Sequence, residues 1–174
     1  MKGVIKTPAV NYYRTDNSIE CIVEEYANML FRVSFVILGN SYDAEDAVQE
    51  TFIRYMKKAP AFESREHEKA WLIRVATNQS RDILRFRSRN NTLDVDTLRE
   101  YAVLENDGII IQALFELPEK LKTVLYLHYV EGYKVCEIAK IISRTPSAVK
   151  MRLKKGREEL KKKYLEEVLY EKQY

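Results

Sequence analysis

The sequence predicts an all-α protein: two small helical domains joined by a flexible acidic linker, the C-terminal domain containing a helix-turn-helix. Three observations carry this reading. Apolar residues recur at spacings of three and four over most of the 174 residues. Glycine and proline, which a turn-rich β fold would need, number only 5 and 4. Residues 89–108 interrupt the helical pattern with a polar and then acidic stretch that ends at Gly108.

Residues 1–17 hold Pro8 and the Tyr12-Tyr13 pair without periodicity, and read as an N-terminal extension. The first domain is expected over 18–88. From Ser18, the residues Ile22, Tyr26, Met29 or Leu30, Val33, and Val36 or Ile37 form the stripe of an amphipathic helix, which Gly39-Asn40 should end. Asp43 is expected to cap the next helix, with Glu45 and Asp46 at the positive end of its dipole. That helix should bury Ala44, Ala47, Val48, Thr51, Phe52 and Tyr55. It should present Asp46, Gln49, Glu50 and Ile53 outward and stop before Pro60.

Residues 61–69 read as a polar loop. A long helix is then expected from about Glu68 to Arg87, burying Leu72, Val75, Ala76, Gln79 and Ile83. A second stripe on it, Trp71, Arg74, Asn78, Arg81 or Asp82, and Arg85, extends for roughly 21 Å. An indole can stack on an unpaired base, an amide can pair with a base edge, and guanidinium groups can hold phosphates. From spacing alone, Trp71 as a core residue is an equal alternative.

The second domain is expected over 109–174. Residues 109–115 form a short apolar helix, and Leu117-Pro118 opens another that carries Leu121, Val124, Leu125 and Tyr129 before Gly132. Residues 134–163 have the pattern of a helix-turn-helix. Val135, Ile138, Ala139 and Ile142 should be buried on its first helix. The turn falls at Ser143-Arg144-Thr145, with Thr145 as N-cap and Pro146 at the first helical position. The second helix should bury Val149, Leu153 and Leu160. Its other faces carry Lys150, Arg152, Lys154, Lys155 and Arg157, as a helix lying in the DNA major groove would. A solvated basic face on an ordinary helical hairpin is the alternative.

Composition narrows the function. Apolar residues make up 46% and charged residues 32%, which gives a soluble globular chain. A net charge of +3 announces no polyanion, but its distribution is uneven. Arg81, Arg85, Arg87 and Arg89 cluster, as do the basic residues of 144–163, while 43–50 and 94–107 are acidic. No apolar run is long enough for a membrane span, and the N-terminus lacks the apolar core of a signal peptide, so the cytosol is expected. Cys21 and Cys136 lack metal-ligand spacing and read as small buried apolar residues. His67 and His128 are the only histidines, and there is no nucleophile motif or phosphate loop. No catalysis, metal or cofactor is therefore expected, and His128 reads as a satisfied residue on a packed helix.

Several motifs, in order, resemble the bacterial RNA polymerase sigma factors of the extracytoplasmic-function type (group 4 of the sigma-70 family). Asp43-Ala-Glu-Asp-Ala-Val-Gln-Glu-Thr-Phe52 is similar to the family's polymerase-binding motif. Ala70-Trp-Leu-Ile-Arg-Val-Ala-Thr-Asn78, continuing to Arg81-Asp-Ile-Leu84, is similar to its promoter-melting helix. Leu117-Pro-Glu-Lys-Leu, Val124-Leu-Tyr-Leu-His-Tyr-Val-Glu-Gly132, Glu137-Ile-Ala and Ser147-Ala-Val-Lys-Met-Arg-Leu resemble its C-terminal domain. Together they run from about Tyr26 to Leu160.

The resemblance implies a factor that binds core RNA polymerase and directs promoter recognition, strand opening and initiation. Asp46, Gln49, Glu50 and Ile53 would bind the clamp helices of the largest polymerase subunit. Phe62, Trp71, Arg74, Asn78, Arg81 and Arg85 would open the promoter and hold the single strand, a flipped base entering a pocket made by residues 61–69. Ser147, Lys150, Met151, Lys154 and Lys155 would meet the duplex element, with Arg144 and Arg152 on its phosphates. The linker would thread towards the polymerase active centre. The resemblance further implies an anti-sigma partner, a monomer when free, no direct membrane insertion, and a cytoplasmic place with polymerase on the nucleoid or held at the membrane by the anti-sigma factor. Two features depart from the family: Ile142-Ser143 stands where relatives often have a glycine, and Gly156 replaces a helix-favouring residue at a cost of about 1 kcal/mol. The competing readings are a stand-alone dimeric helix-turn-helix regulator and a protein-binding helical adaptor. The first leaves the acidic helix and the Trp71 stripe unexplained, and the second leaves the basic helix idle.

Overall fold

The computed structural model describes residues 19–90 and 108–171. The expected N-terminal extension and most of the expected flexible linker lie outside the described residues. The fold is all-α, in seven described helices: α1 (Ile19–Leu38), α2 (Ser41–Lys58), α3 (Arg65–Asn90), α4 (Gly108–Phe115), α5 (Glu119–Tyr129), α6 (Val135–Ile141) and α7 (Pro146–Glu171).

In the first half, α1, α2 and α3 pack mutually. α1 ends as its sequence requires. Gly39 adopts φ 66°, open to glycine without strain, and its N–H reaches the Phe35 carbonyl at 2.7 Å. The cap of α2 is Asn40 and not Asp43. The Asn40 side-chain oxygen accepts from the Asp43 N–H at 3.0 Å, so the helix begins two residues earlier than Asp43. The Asp43 carboxylate is thereby left for Arg87 of α3, at 2.5 Å. Burial raises the Asp43 carboxyl above its usual range even with that guanidinium beside it.

α3 begins at Arg65 and not near Glu68. The Ser64 hydroxyl accepts from the His67 N–H at 3.1 Å and caps it, drawing the end of the expected loop into the helix. α3 also continues through Asn90, beyond the expected end at Arg87. Its buried side is wider than a single stripe. Leu72, Ile73, Ala76, Thr77, Gln79 and Ser80 are buried, whereas Val75 and Ile83 are half-buried. Two helices, α1 and α2, pack on α3, and each claims its own arc.

In the second half, α5 is the central helix. It is buried continuously from Leu121 to Leu127 because α1 packs on it from one side and α7 from another. α4 begins at Gly108, a residue expected to close the linker. One apolar core runs through both halves, joining Ile22, Leu30 and Val33 of α1 to Val124 and Leu127 of α5 and Ile138 of α6. Each such side chain contributes roughly 1.5–3 kcal/mol on burial. Phe35 of α1 meets Phe115 of α4 edge to face, ring centres 5.3 Å apart.

Two sequence expectations are corrected and one gains a cause. Cys21 and Cys136 are exposed, because they lie beside and not on the apolar stripes of their helices. His128 is satisfied as expected, its Nδ1 lying 2.8 Å from the Tyr133 carbonyl. Gly156 is buried where α7 approaches α5, and a β-carbon there would stand 3.1 Å from the Leu125 side chain. The close approach accounts for a glycine that propensity alone disfavours.

Candidate nucleic-acid interface

Three hydrogen bonds and one left-handed residue fix the helix-turn-helix. The Lys134 N–H donates to the Glu137 carboxylate at 2.7 Å and closes the start of α6. Ser143 takes φ 52°, the left-handed turn position where the sequence lacks the usual glycine. The Arg144 N–H returns to the Ala139 carbonyl at 2.9 Å. Thr145 accepts from the Ala148 N–H at 3.2 Å, so Thr145 and Pro146 start α7 as the sequence predicts.

Val149 and Leu153, both buried, set the rotation of α7 against the rest of the domain. That rotation leaves Ser147, Lys150, Met151, Lys154 and Lys155 exposed on its outer side, with Met151 at 67%. Arg144 is exposed in the turn and Arg152 is half-buried at its flank. Burial, and then the neighbouring Arg144 and Arg81 guanidinium groups, lower the pKa of Arg152. The structure thus brings the expected duplex-reading residues together at one end of α7.

The residues expected to hold the single strand are less uniform. Phe62 is buried, not open. It stacks on Tyr55 with ring centres 6.0 Å apart and meets Trp71 edge-on at 5.8 Å. Tyr55 also meets Trp71 at 6.1 Å, and its hydroxyl donates to the buried Glu68 carboxylate. Phe62 therefore supports Trp71 from behind and offers no free face. Trp71 itself is half-buried: one side packs, and the other borders a cleft of 570 Å³ with Glu63, His67, Arg74, Tyr133 and Lys140. Arg74 and Asn78 are exposed. Arg81 pairs with Glu119 at 2.8 Å, and Arg85 with Asp82 at 2.9 Å.

A third surface lies on α2. Asp46, Gln49 and Ile53 are exposed at helical spacing, and Glu50 pairs with Arg54 at 3.1 Å while remaining half-exposed. Met56 is 55% exposed one turn beyond Ile53 and extends the apolar centre of this face. Sequence reading passed over it, although its spacing of three from Ile53 was visible.

A family model of Sigma-70 region 2 matches residues 22–90, and one of Sigma-70 region 4 matches residues 107–160. The ECF RNA polymerase sigma factor SigW of Bacillus subtilis is 31% identical over 160 residues, covering 81% of this chain and 86% of that protein. The chain belongs to the ECF RNA polymerase sigma factors. SigX of the same organism is 28% identical to this sigma factor over 162 residues, 84% of each chain. Among solved structures, the sigma factor RpoE in the co-crystal structure with the anti-sigma factor NepR from Bartonella quintana aligns with a TM-score of 0.66. It covers 83% of this chain and 94% of that one, and at 18% identity it bears on the fold alone. In this sigma factor the region 2 match takes in α1 to α3, with the α2 face and the α3 stripe, and the region 4 match takes in the helix-turn-helix. No described helix is long and apolar enough to cross a membrane.

Proposed function

We propose that this sigma factor divides its work between its two halves. Residues 18–88 bind core polymerase and hold the opened strand, and residues 109–174 grip the duplex. Asp46, Gln49, Glu50, Ile53 and Met56 form the polymerase face, an acidic rim around an apolar centre that suits a basic helical surface. Trp71, Arg74, Asn78, Arg81 and Arg85 hold the single strand by stacking, edge pairing and phosphate contact. Phe62 acts through Trp71, keeping the indole in place. Ser147, Lys150, Met151, Lys154 and Lys155 enter the major groove, and Arg144 and Arg152 hold phosphates.

The observation that carries this reading is the outward set on α7, arranged by a capped turn, on the same chain as a half-open tryptophan backed by aromatic rings. The factor performs no chemistry of its own and acts in the cytoplasm, as a monomer when free. An anti-sigma factor is the regulatory partner that membership of the family implies. Polymerase sets the spacing of the two grips, so their joint affinity appears only in its presence.

Trp71→Ala tests the strand-opening role. It should reduce initiation from duplex promoters far more than from templates that are already melted, by roughly tenfold if one stacking contact of 1–3 kcal/mol is lost. Equal loss on both templates would make Trp71 a packing residue only.

A further inference from the structure

The stripe on α3 has a basic neighbour on another helix. Arg54 of α2 lines a cleft of 640 Å³ together with Asn78, Arg81, Asp82 and Arg85 of α3. Both helices hold it there. One turn back on α2, the Glu50 carboxylate accepts from its Nε at 3.1 Å. On α3, the buried Gln79 turns its amide oxygen towards the guanidinium, accepting from Nε and Nη2 at 2.6 Å and from Nη1 at 3.0 Å. Gln79 adjoins Asn78, so the cation of Arg54 stands level with the middle of the stripe, about 12 Å along the helix from Trp71.

The guanidinium is held but not used up. It carries five N–H donors in a rigid fork, and Nη1 and Nη2 each keep a second N–H beyond the one given to Gln79. The side chain is 45% exposed, which leaves that edge within reach of a ligand in the cleft. Its counter-charge also has another destination. Glu50 belongs to the α2 face proposed for polymerase. The Glu50–Arg54 pair is exposed and spaced i to i+4, a weak class of ion pair that a basic partner surface displaces readily. Once Glu50 turns to polymerase, Arg54 keeps only the neutral Gln79 amide. Its charge then lies uncompensated beside the proposed path of the strand, and a phosphate oxygen is the group that a forked guanidinium takes up.

We propose that Arg54 is a further strand-holding residue, which contacts a phosphate of the opened strand next to Asn78 once Glu50 is engaged by polymerase. The assignment rests on the readings of the α3 stripe and the α2 face given above. It places one strand contact on the helix that docks on polymerase, with Gln79 as the residue that positions it.

The test uses holoenzyme assembled from core polymerase and the full chain, bound to a promoter fragment that is already melted. The readout is the slope of log affinity against log salt, which falls by about 0.7 for each single-strand phosphate contact removed. Arg54→Gln should lower the slope by about that amount and weaken binding roughly tenfold at low salt. Arg54→Lys, which keeps the charge, should retain the slope. Arg32→Gln, on an exposed position of α1, is the charge-matched control and should not change it. Polymerase retention in a pull-down should be the same for Arg54→Gln as for the unchanged factor. An unaltered slope in Arg54→Gln overturns the assignment, because a purely structural role lowers affinity without releasing fewer counterions. The same fall in Arg32→Gln overturns it as a general charge effect, and a matching loss of polymerase retention overturns it by moving Arg54 to the polymerase face. Arg74→Gln, which removes a cation of the stripe alone, separates the two ideas. If Arg74→Gln lowers the slope and Arg54→Gln does not, only the Arg54 assignment has failed. If neither lowers it, the stripe reading has failed with it.

Discussion

Replacing Lys122 with methionine should stabilise the free chain, and the pH dependence of the gain identifies its cause. Lys122 lies on α5 with 7% of its surface exposed. Its ammonium reaches the Phe115 carbonyl only at 3.5 Å and stands 5.4 Å from the centre of the Phe115 ring, the same ring that meets Phe35. These contacts do not replace hydration. Burial lowers its pKa from 10.5 to about 8, with Glu119 opposing the change. The difference between those two values corresponds to roughly 3 kcal/mol. The folded value lies below the unfolded one, so the unfolded chain binds more protons between them and stability rises with pH there. The penalty is complete below about pH 8 and gone above 10.5. Methionine has a similar shape and no charge, but forfeits about 1 kcal/mol of carbonyl and cation–π attraction. The net gain at pH 7 is therefore about 1–2 kcal/mol, or a rise in Tm of roughly 3–6 °C. Thermal unfolding of both proteins at pH 7 and pH 9.5 measures it. The gap should narrow at the higher pH. An equal gap at both pH values, or a loss at pH 7, would refute the reasoning.

Ser143→Gly should stabilise the chain by about 0.5 kcal/mol, because relief of a left-handed serine slightly exceeds the added entropy of an unfolded glycine. Urea unfolding would show it, and a loss would mean the turn is not strained at φ 52°. Replacing Gln49 and Glu50 together with lysine puts like charge against a basic partner and should cut polymerase retention in a pull-down by tenfold or so. Helix content should not change, since neither side chain is buried. Full retention would move the polymerase face elsewhere.

What could be read from sequence was local. Thr145-Pro146 marks the start of α7, and Gly39 the end of α1, because each acts within a turn of its own position. Apolar spacing located the buried Val149, Leu153 and Ile138 for the same reason. The Asn40 cap was missed because two capping residues stand three apart, and Asp43 is drawn away by Arg87 from another helix. The family resemblance gives Phe62 a DNA contact, but Tyr55 and Trp71 enclose it from two helices. Gly156 showed only its propensity cost, since Leu125 comes from a distant turn of chain. The joint between the halves was invisible throughout. Arg81–Glu119 and Lys69–Glu131 are long-range pairs, and no periodicity in either helix announces a partner.

Runoff transcription with purified core polymerase, this factor and a random promoter library tests the central claim most directly. RNA should start from a subset of templates that share two separated sequence elements, one read as duplex and one as opened strand. No RNA above that of core polymerase alone, from any template in the library, would contradict the account.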